Sequence, residues 1–384
     1  MQRCRLPEIR KPRDHRIDFL RGLALVMIFI NHIPGTVWEN VTSRNFGFSD
    51  AAEGFVLMSG IAAGLAFGPV FAAPAPWSAR LRPWRRALVL WQVHVPVCLA
   101  VLALFALTIG NPAVEKMAEA RNIAPVLDQP WPHLPALALL SHQFAYADIL
   151  PLYILLLLAA PGLLWLAVRR PRALMLASLA LWFATGALKL KFPTWPQENG
   201  WFFNPLAWQV LFVAGILTGL ALRRGDRILP LRRWALALAW GFLALAAIWV
   251  QVPAVANAGG HGLWLLYEYL GFPSVVVSFD KGMLFLPRLL HILALAYVLS
   301  ALPVLKRLAA GPAGAGLARL GRHSLPVFAT GTLMAYAAQV TKALAGPSFL
   351  LDTAMIAGGI AVLFLVAHLR EGQQLRARAA LAAA

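Results

Sequence analysis

Asp18, Arg21 and His32 interrupt the otherwise apolar run RIDFLRGLALVMIFINH, which begins at Arg16. On a helix each residue turns about 100° and rises about 1.5 Å, so Asp18, Arg21, Leu25, Ile28 and His32 form one stripe, with His32 about 16 Å beyond Arg21. Asp18 and Arg21, three apart, can neutralise each other, and His32 stands at the far end with Asn31 beside it. An imidazole at the end of a buried polar stripe offers the chemistry of a general base or a nucleophile. The plainer alternative has Arg21 reaching back to lipid headgroups and His32 capping the helix in water.

The next stretch, SRNFGFSDAAEGFVLMSG, sets Asp50 and Glu53 three residues apart at the start of the second apolar segment. A short antiparallel connection returns that segment near His32, where a carboxylate on one imidazole nitrogen would fix the tautomer and raise the basicity of the other. Asp50 reads equally well as a helix N-cap. In SARLRPWRRALVLWQVH, Arg80, Arg82, Arg85 and Arg86 precede the third apolar segment. Guanidinium forks of this kind bind phosphates, and they also satisfy the positive-inside rule. Arg288 and His291, one turn apart with Lys281 nearby, suit an acyl carboxylate or a structural ion pair. His94 reads as a packed ring and His323 as interfacial, while Trp195, Trp201 and Trp264 suit either a sugar face or a membrane interface. No Cys or His spacing forms a metal site.

The elements that must position these groups follow from composition. Of 384 residues, 60% are hydrophobic and 13% charged, about half the charged fraction of a soluble domain. Ten windows of membrane-spanning character fall at about 17–34, 51–72, 87–108, 147–168, 173–188, 205–222, 234–252, 284–305, 324–342 and 350–369. With the N-terminus inside, 25 Lys and Arg lie in inner segments and 7 in outer ones, which predicts both termini cytoplasmic. The net charge of +18 is thereby explained without a nucleic-acid partner. The first window lacks a small-x-small cleavage pattern and reads as a retained span rather than a signal peptide. Cys4 and Cys98 imply no disulfide framework. The reading is an all-α integral membrane protein of about ten transmembrane helices: a basic cytoplasmic tail at 1–16, one membrane domain at 17–369 and a cytoplasmic tail at 370–384. The outer segments at about 109–146, 189–204 and 253–283 are long and rich in Pro, Gly and Trp, whereas the inner links are short, so the outer face handles the bulkier partner.

RIDFLRGLALVMIFINHIPG, RNFGFSDAAEGFVLMSG, FFNPLAWQVLFVAG and LPRLLHILALAY together resemble the OpgC family of bacterial inner-membrane proteins, associated with succinylation of osmoregulated periplasmic glucans. That family is similar in turn to the wider acyltransferase 3 group, whose pattern is matched here by Asp18, Arg21, Gly22 and His32, and in the first inner loop by Arg82 and Arg85. The resemblance implies a membrane acyltransferase with its site open to the periplasm. It takes acyl-CoA, as succinyl-CoA or acetyl-CoA, as a co-substrate and holds no tight cofactor. On this reading Arg21, Arg82, Arg85 and Arg86 hold the CoA phosphates, His32 is the base or acyl relay with Glu53 and Asp50 orienting it, and a glucan hydroxyl is the acceptor. Arg288, His291 and Asn31 stand as accessory contacts to the acyl carboxylate. A transporter or flippase for a glycan or an acylated intermediate is the competing reading, since it too would place charges within spans.

Overall fold

The computed structural model describes residues 14–383, and among these it contains helices and no strand. The basic stretch 1–13, with Cys4, lies outside the described residues. Asp14 caps α1 (His15–Asn31) by accepting the Arg16 amide. Two 3-10 turns lead to α2 (Ala51–Ala72), which opens on a capping box: Asp50 accepts the Ala52 amide and Glu53 accepts the Asp50 amide. Then come α3 (Trp77–Arg80), α4 (Arg82–Ala106), α5 (Pro112–Ala120), α6 (Ala124–Asp128) and α7 (Pro130–Ala138). The middle of the chain forms α8 (Ile149–Arg169), α9 (Pro171–Ala187), α10 (Pro205–Arg224) and α11 (Arg233–Gln251). After α12 (Pro253–Glu268) and α13 (Ser274–Val277) come α14 (Leu286–Ala301), α15 (Pro303–Ala310), α16 (Pro312–Arg322), α17 (Ser324–Ala345) and α18 (Phe349–Ala383).

A helix occupies each of the ten predicted windows. Among the described residues six helices are long and apolar enough by themselves to cross a membrane, and seven if α14 and α15, bent by 74°, count as one span. The rest fall short for local reasons: α1 and α9 have 17 residues each, and α17 is diluted by Thr330, Thr332, Gln339 and Lys342. The segment after residue 253, predicted as an outer connection, instead begins with the 16-residue helix α12. Beyond residue 369 α18 simply continues. Lipid explains the outward-facing side chains of this bundle: α11 buries only Ala246, while Leu238, Trp240 and Leu245 are exposed.

Hydrocarbon solvent provides little hydrophobic drive between helices, so close backbone approach must supply the packing. Two Gly-x-x-x-Gly pairs do so, Gly60 and Gly64 on α2 against Gly215 and Gly219 on α10. The backbones lie so near that a β-carbon on Gly215 would meet Leu57 O and stand 2.8 Å from the Gly60 Cα. A second crossing seats Gly22 of α1 against Leu317 O of α16, and Gly321 of α16 against Asp18 O. These contacts fix the rotation of α1. Its buried residues include Asp18, Leu25 and Ile28, so the polar stripe faces the bundle interior.

Candidate active site

The outer end of α1 is held by α17. Gln339 Nε2 donates to His32 O at 2.6 Å, and Lys342 Nζ donates to Pro34 O at 3.0 Å while pairing with Asp352. The side chain of Asn31 accepts from Thr42 Oγ1 at 2.8 Å, tying the following loop to the same turn. A second wall comes from the segment between α4 and α8. It has its own apolar core, in which Val114, Ile123, Val126 and Phe144 pack with Phe105 of α4 and Tyr336 of α17. That core carries Tyr146 and Arg121 to His32. The Tyr146 ring lies 4.8 Å from the His32 ring, and the Arg121 guanidinium lies 4.5 Å from the Tyr146 ring centre. Arg121 Nε donates to Gln339 Oε1 at 2.9 Å, so one amide holds both the His32 backbone and the Arg121 head.

The third wall is ionic. Trp208 Nε1 donates to the carbonyls of Lys281 and Gly282, and Lys281 Nζ reaches Asp50 Oδ2 at 2.6 Å. Arg288 Nε donates to Glu53 Oε1 at 2.8 Å, with its amino group 3.6 Å from Asp50. Burial raises the Asp50 carboxyl, but Lys281 and Arg288 outweigh burial and hold it well below the usual carboxylate range. Glu53 is 0% exposed, so its charge depends on Arg288. Arg288→Met is therefore expected to destabilise the protein by about 3–5 kcal/mol, with part of the loss recovered by adding Glu53→Gln. Denaturation in detergent checks this, and a single variant as stable as the wild type would refute it.

The three walls enclose a cavity of about 790 Å³. His32, Tyr146, Arg121, Lys281, Arg288, Asp50 and Asp148 line it, together with Asn122, Gln143, Gln197 and Asn199. An imidazole therefore shares a pocket with cations, carboxylates and neutral amides, a surface suited to a polyhydroxylated ligand. A family model described as OpgC protein matches residues 13–374. The chain belongs to the OpgC family. No curated protein and no solved structure matches it. Membership in the OpgC family, with several apolar helices, points to a membrane transferase of the acyltransferase kind acting on glucans.

Read as an OpgC protein, the chain places its predicted residues unevenly. His32, Asn31, Asp50 and Arg288 meet in the cavity. Glu53 does not orient His32: its carboxylate is taken by Arg288 and the Asp50 amide. His291 lies outside the cavity lining, with Nδ1 2.7 Å from Ser49 Oγ and Gly47 against its ring. Arg21 donates to Met58 O at 3.1 Å, and its interior position agrees with the predicted stripe. Arg82 and Arg85 are exposed at the start of α4, whereas Arg86 lines a second cleft. His94 is buried beside Cys98. Trp201 packs on Phe192, Trp264 stacks on His261 and Trp195 is half exposed, and none of the three lines the cavity. Spacing missed Tyr146, Arg121 and Gln339, which lie in three separate segments. The sequence does hold a faint signal for two cavity residues, a Tyr and an Asp two apart in AYAD at the mouth of an apolar window.

Proposed function

We propose that this OpgC-family protein is a membrane O-acyltransferase that moves an acyl group, succinyl or acetyl, from acyl-CoA to hydroxyls of a periplasmic glucan. The supporting observation is His32, which ends a buried polar stripe and opens into a cavity where charged groups, amides and hydroxyls stand among apolar residues such as Ile28, Phe48 and Phe203. In direct transfer the His32 ring takes the proton of a glucan hydroxyl as that oxygen attacks the thioester carbonyl. A C–O bond forms, the C–S bond breaks, and the departing thiolate recovers the proton from the imidazolium. Arg121 and Lys281 supply positive charge on the wall where the oxyanion develops. Lys281, Arg288 and Arg121 also suit the free carboxylate of a succinyl group.

The excess of basic residues in the inner segments supports an inner-membrane protein with both termini cytoplasmic and the cavity facing the periplasm. Arg21, Arg82, Arg85 and Arg86 then stand on the donor's side of the membrane. Purified protein in nanodiscs, given succinyl-CoA or acetyl-CoA with a glucan, is expected to release free thiol in proportion to acyl groups gained by the glucan. Passage of unmodified glycan across a vesicle membrane without thioester loss would favour a transporter and overturn the reading.

A further inference from the structure

A second cavity, of about 810 Å³, lies between the first turns of α4 and α17 and the later turns of α18. It sits at the far end of the bundle from His32. Ser324 of α17 lines this cleft while Gln339 holds the His32 backbone, and fifteen residues of helix separate them by about 22 Å. Arg86 from α4, Arg322 from α16 and Arg370 from α18 line it, with His323, and the lining contains no carboxylate. The nearby acid, Glu371, is shared between Arg319 and Arg322. That one carboxylate is spent on two guanidinium groups, which leaves Arg86 and Arg370 to give the cleft a net positive charge. Along the bundle axis the lining turns apolar: Val89, itself exposed, and Val93 lie one and two turns beyond Arg86, with Ala329 and Val366 also in the lining, over a length of about 10 Å.

We propose that this cleft is an anion site for a phosphate ester carrying an extended arm, held by Arg86, Arg322 and Arg370 with the arm along Val89, Val93 and Ala329. Loop topology alone would require basic residues near the membrane face, but not three of them converging from three helices on one cavity. Guanidinium forks match phosphate geometry, and an apolar floor behind them selects a ligand with a tail. Two sources share that chemistry, the CoA thioester donor and a membrane phospholipid. The assignment to the donor rests on the transferase reading, whereas anion binding does not. In either case the receptor is Arg86 with Arg322 and Arg370, rather than the exposed Arg82 and Arg85.

The test compares two double variants that remove the same charge, Arg86→Gln with Arg370→Gln, and Arg82→Gln with Arg85→Gln. Calorimetric titration with CoA in detergent is expected to show at least tenfold weaker binding for the first pair and less than a twofold change for the second. If the ligand is a lipid, native mass spectrometry from nanodiscs containing phosphatidylglycerol will show that lipid retained by the wild type and the second pair and lost by the first. Ala329→Trp fills the apolar floor without touching an arginine and is expected to weaken the same ligand, which covers the case of a misfolded double variant. Equal losses in both pairs, or wild-type protein that binds neither probe, would overturn the site. Normal CoA affinity together with normal lipid retention in the first pair would overturn it, and normal transfer by that pair would leave the transferase standing. Loss of transfer in His32→Ala with unchanged CoA affinity would separate the two ends of the protein.

Discussion

His32→Ala is expected to lower acyl transfer about a hundred- to ten-thousand-fold, the usual contribution of a general base, while leaving the thermal unfolding of the protein in place. The two halves of this expectation have separate causes. Transfer fails because the other imidazole of the cavity lining, His142, is tied through Nε2 to Asn122 O at 2.8 Å and packs against His133 and Phe144, and neither Asp50 nor Glu53 can substitute, since both carboxylates are engaged by Lys281 and Arg288. Folding survives because the bonds that anchor this turn run through the backbone: Gln339 holds His32 O and Lys342 holds Pro34 O, whatever side chain stands at residue 32. His32→Gln keeps a hydrogen-bonding side chain of similar size without a base and should be equally inactive. Transfer assays on correctly inserted protein, paired with melting curves, check both variants. Near-normal transfer by either would remove His32 from the reaction.

Gly215→Val is expected to abolish correctly folded protein, a larger structural effect than breaking the Arg288 ion pair. A side chain there meets backbone on two sides, Leu57 O and the Gly60 Cα, and backbone cannot turn aside as a flexible side chain would. The two helices would have to separate, giving up the contacts of Gly60, Gly64 and Gly219 together. The consequence reaches the site, because Asp50 caps α2 and α10 carries Trp208, which bonds the Lys281 carbonyl beside Asp50. Gly162, with open space around its Cα, is the matched control, and Gly162→Val should insert and fold normally. Size-exclusion profiles and yield in mild detergent read the difference. A monodisperse Gly215→Val protein with wild-type stability would show that this crossing is looser than its geometry.

The sequence by itself determined the solvent, the helices and one catalytic candidate. Hydropathy and the 3.6-residue period are local properties, so apolar windows became helices in place, and the spacing of Asp18, Arg21, Leu25, Ile28 and His32 predicted an interior stripe. The capping reading of Asp50 is likewise local, and the structure realises it. The tertiary structure alone decided partners. Glu53 lies three residues from Asp50 and 21 from His32, yet its charge is met by Arg288, 235 positions away. Spacing within one helix says which residues share a face, not which face of another helix it meets. That depends on helix rotation, fixed here by Gly22 against Leu317 and by Gly60 against Gly215. Both Gly-x-x-x-Gly patterns can be read in the sequence, but their pairing cannot. The same reason hid the sequence His32, Tyr146, Arg121 and Gln339, contributed by α1, the α7 to α8 connection, the α5 to α6 connection and α17. It also hid the convergence of Arg86, Arg322 and Arg370, because residues on separate helices far apart in the chain meet only when backbone contacts between small residues have set the helix crossings.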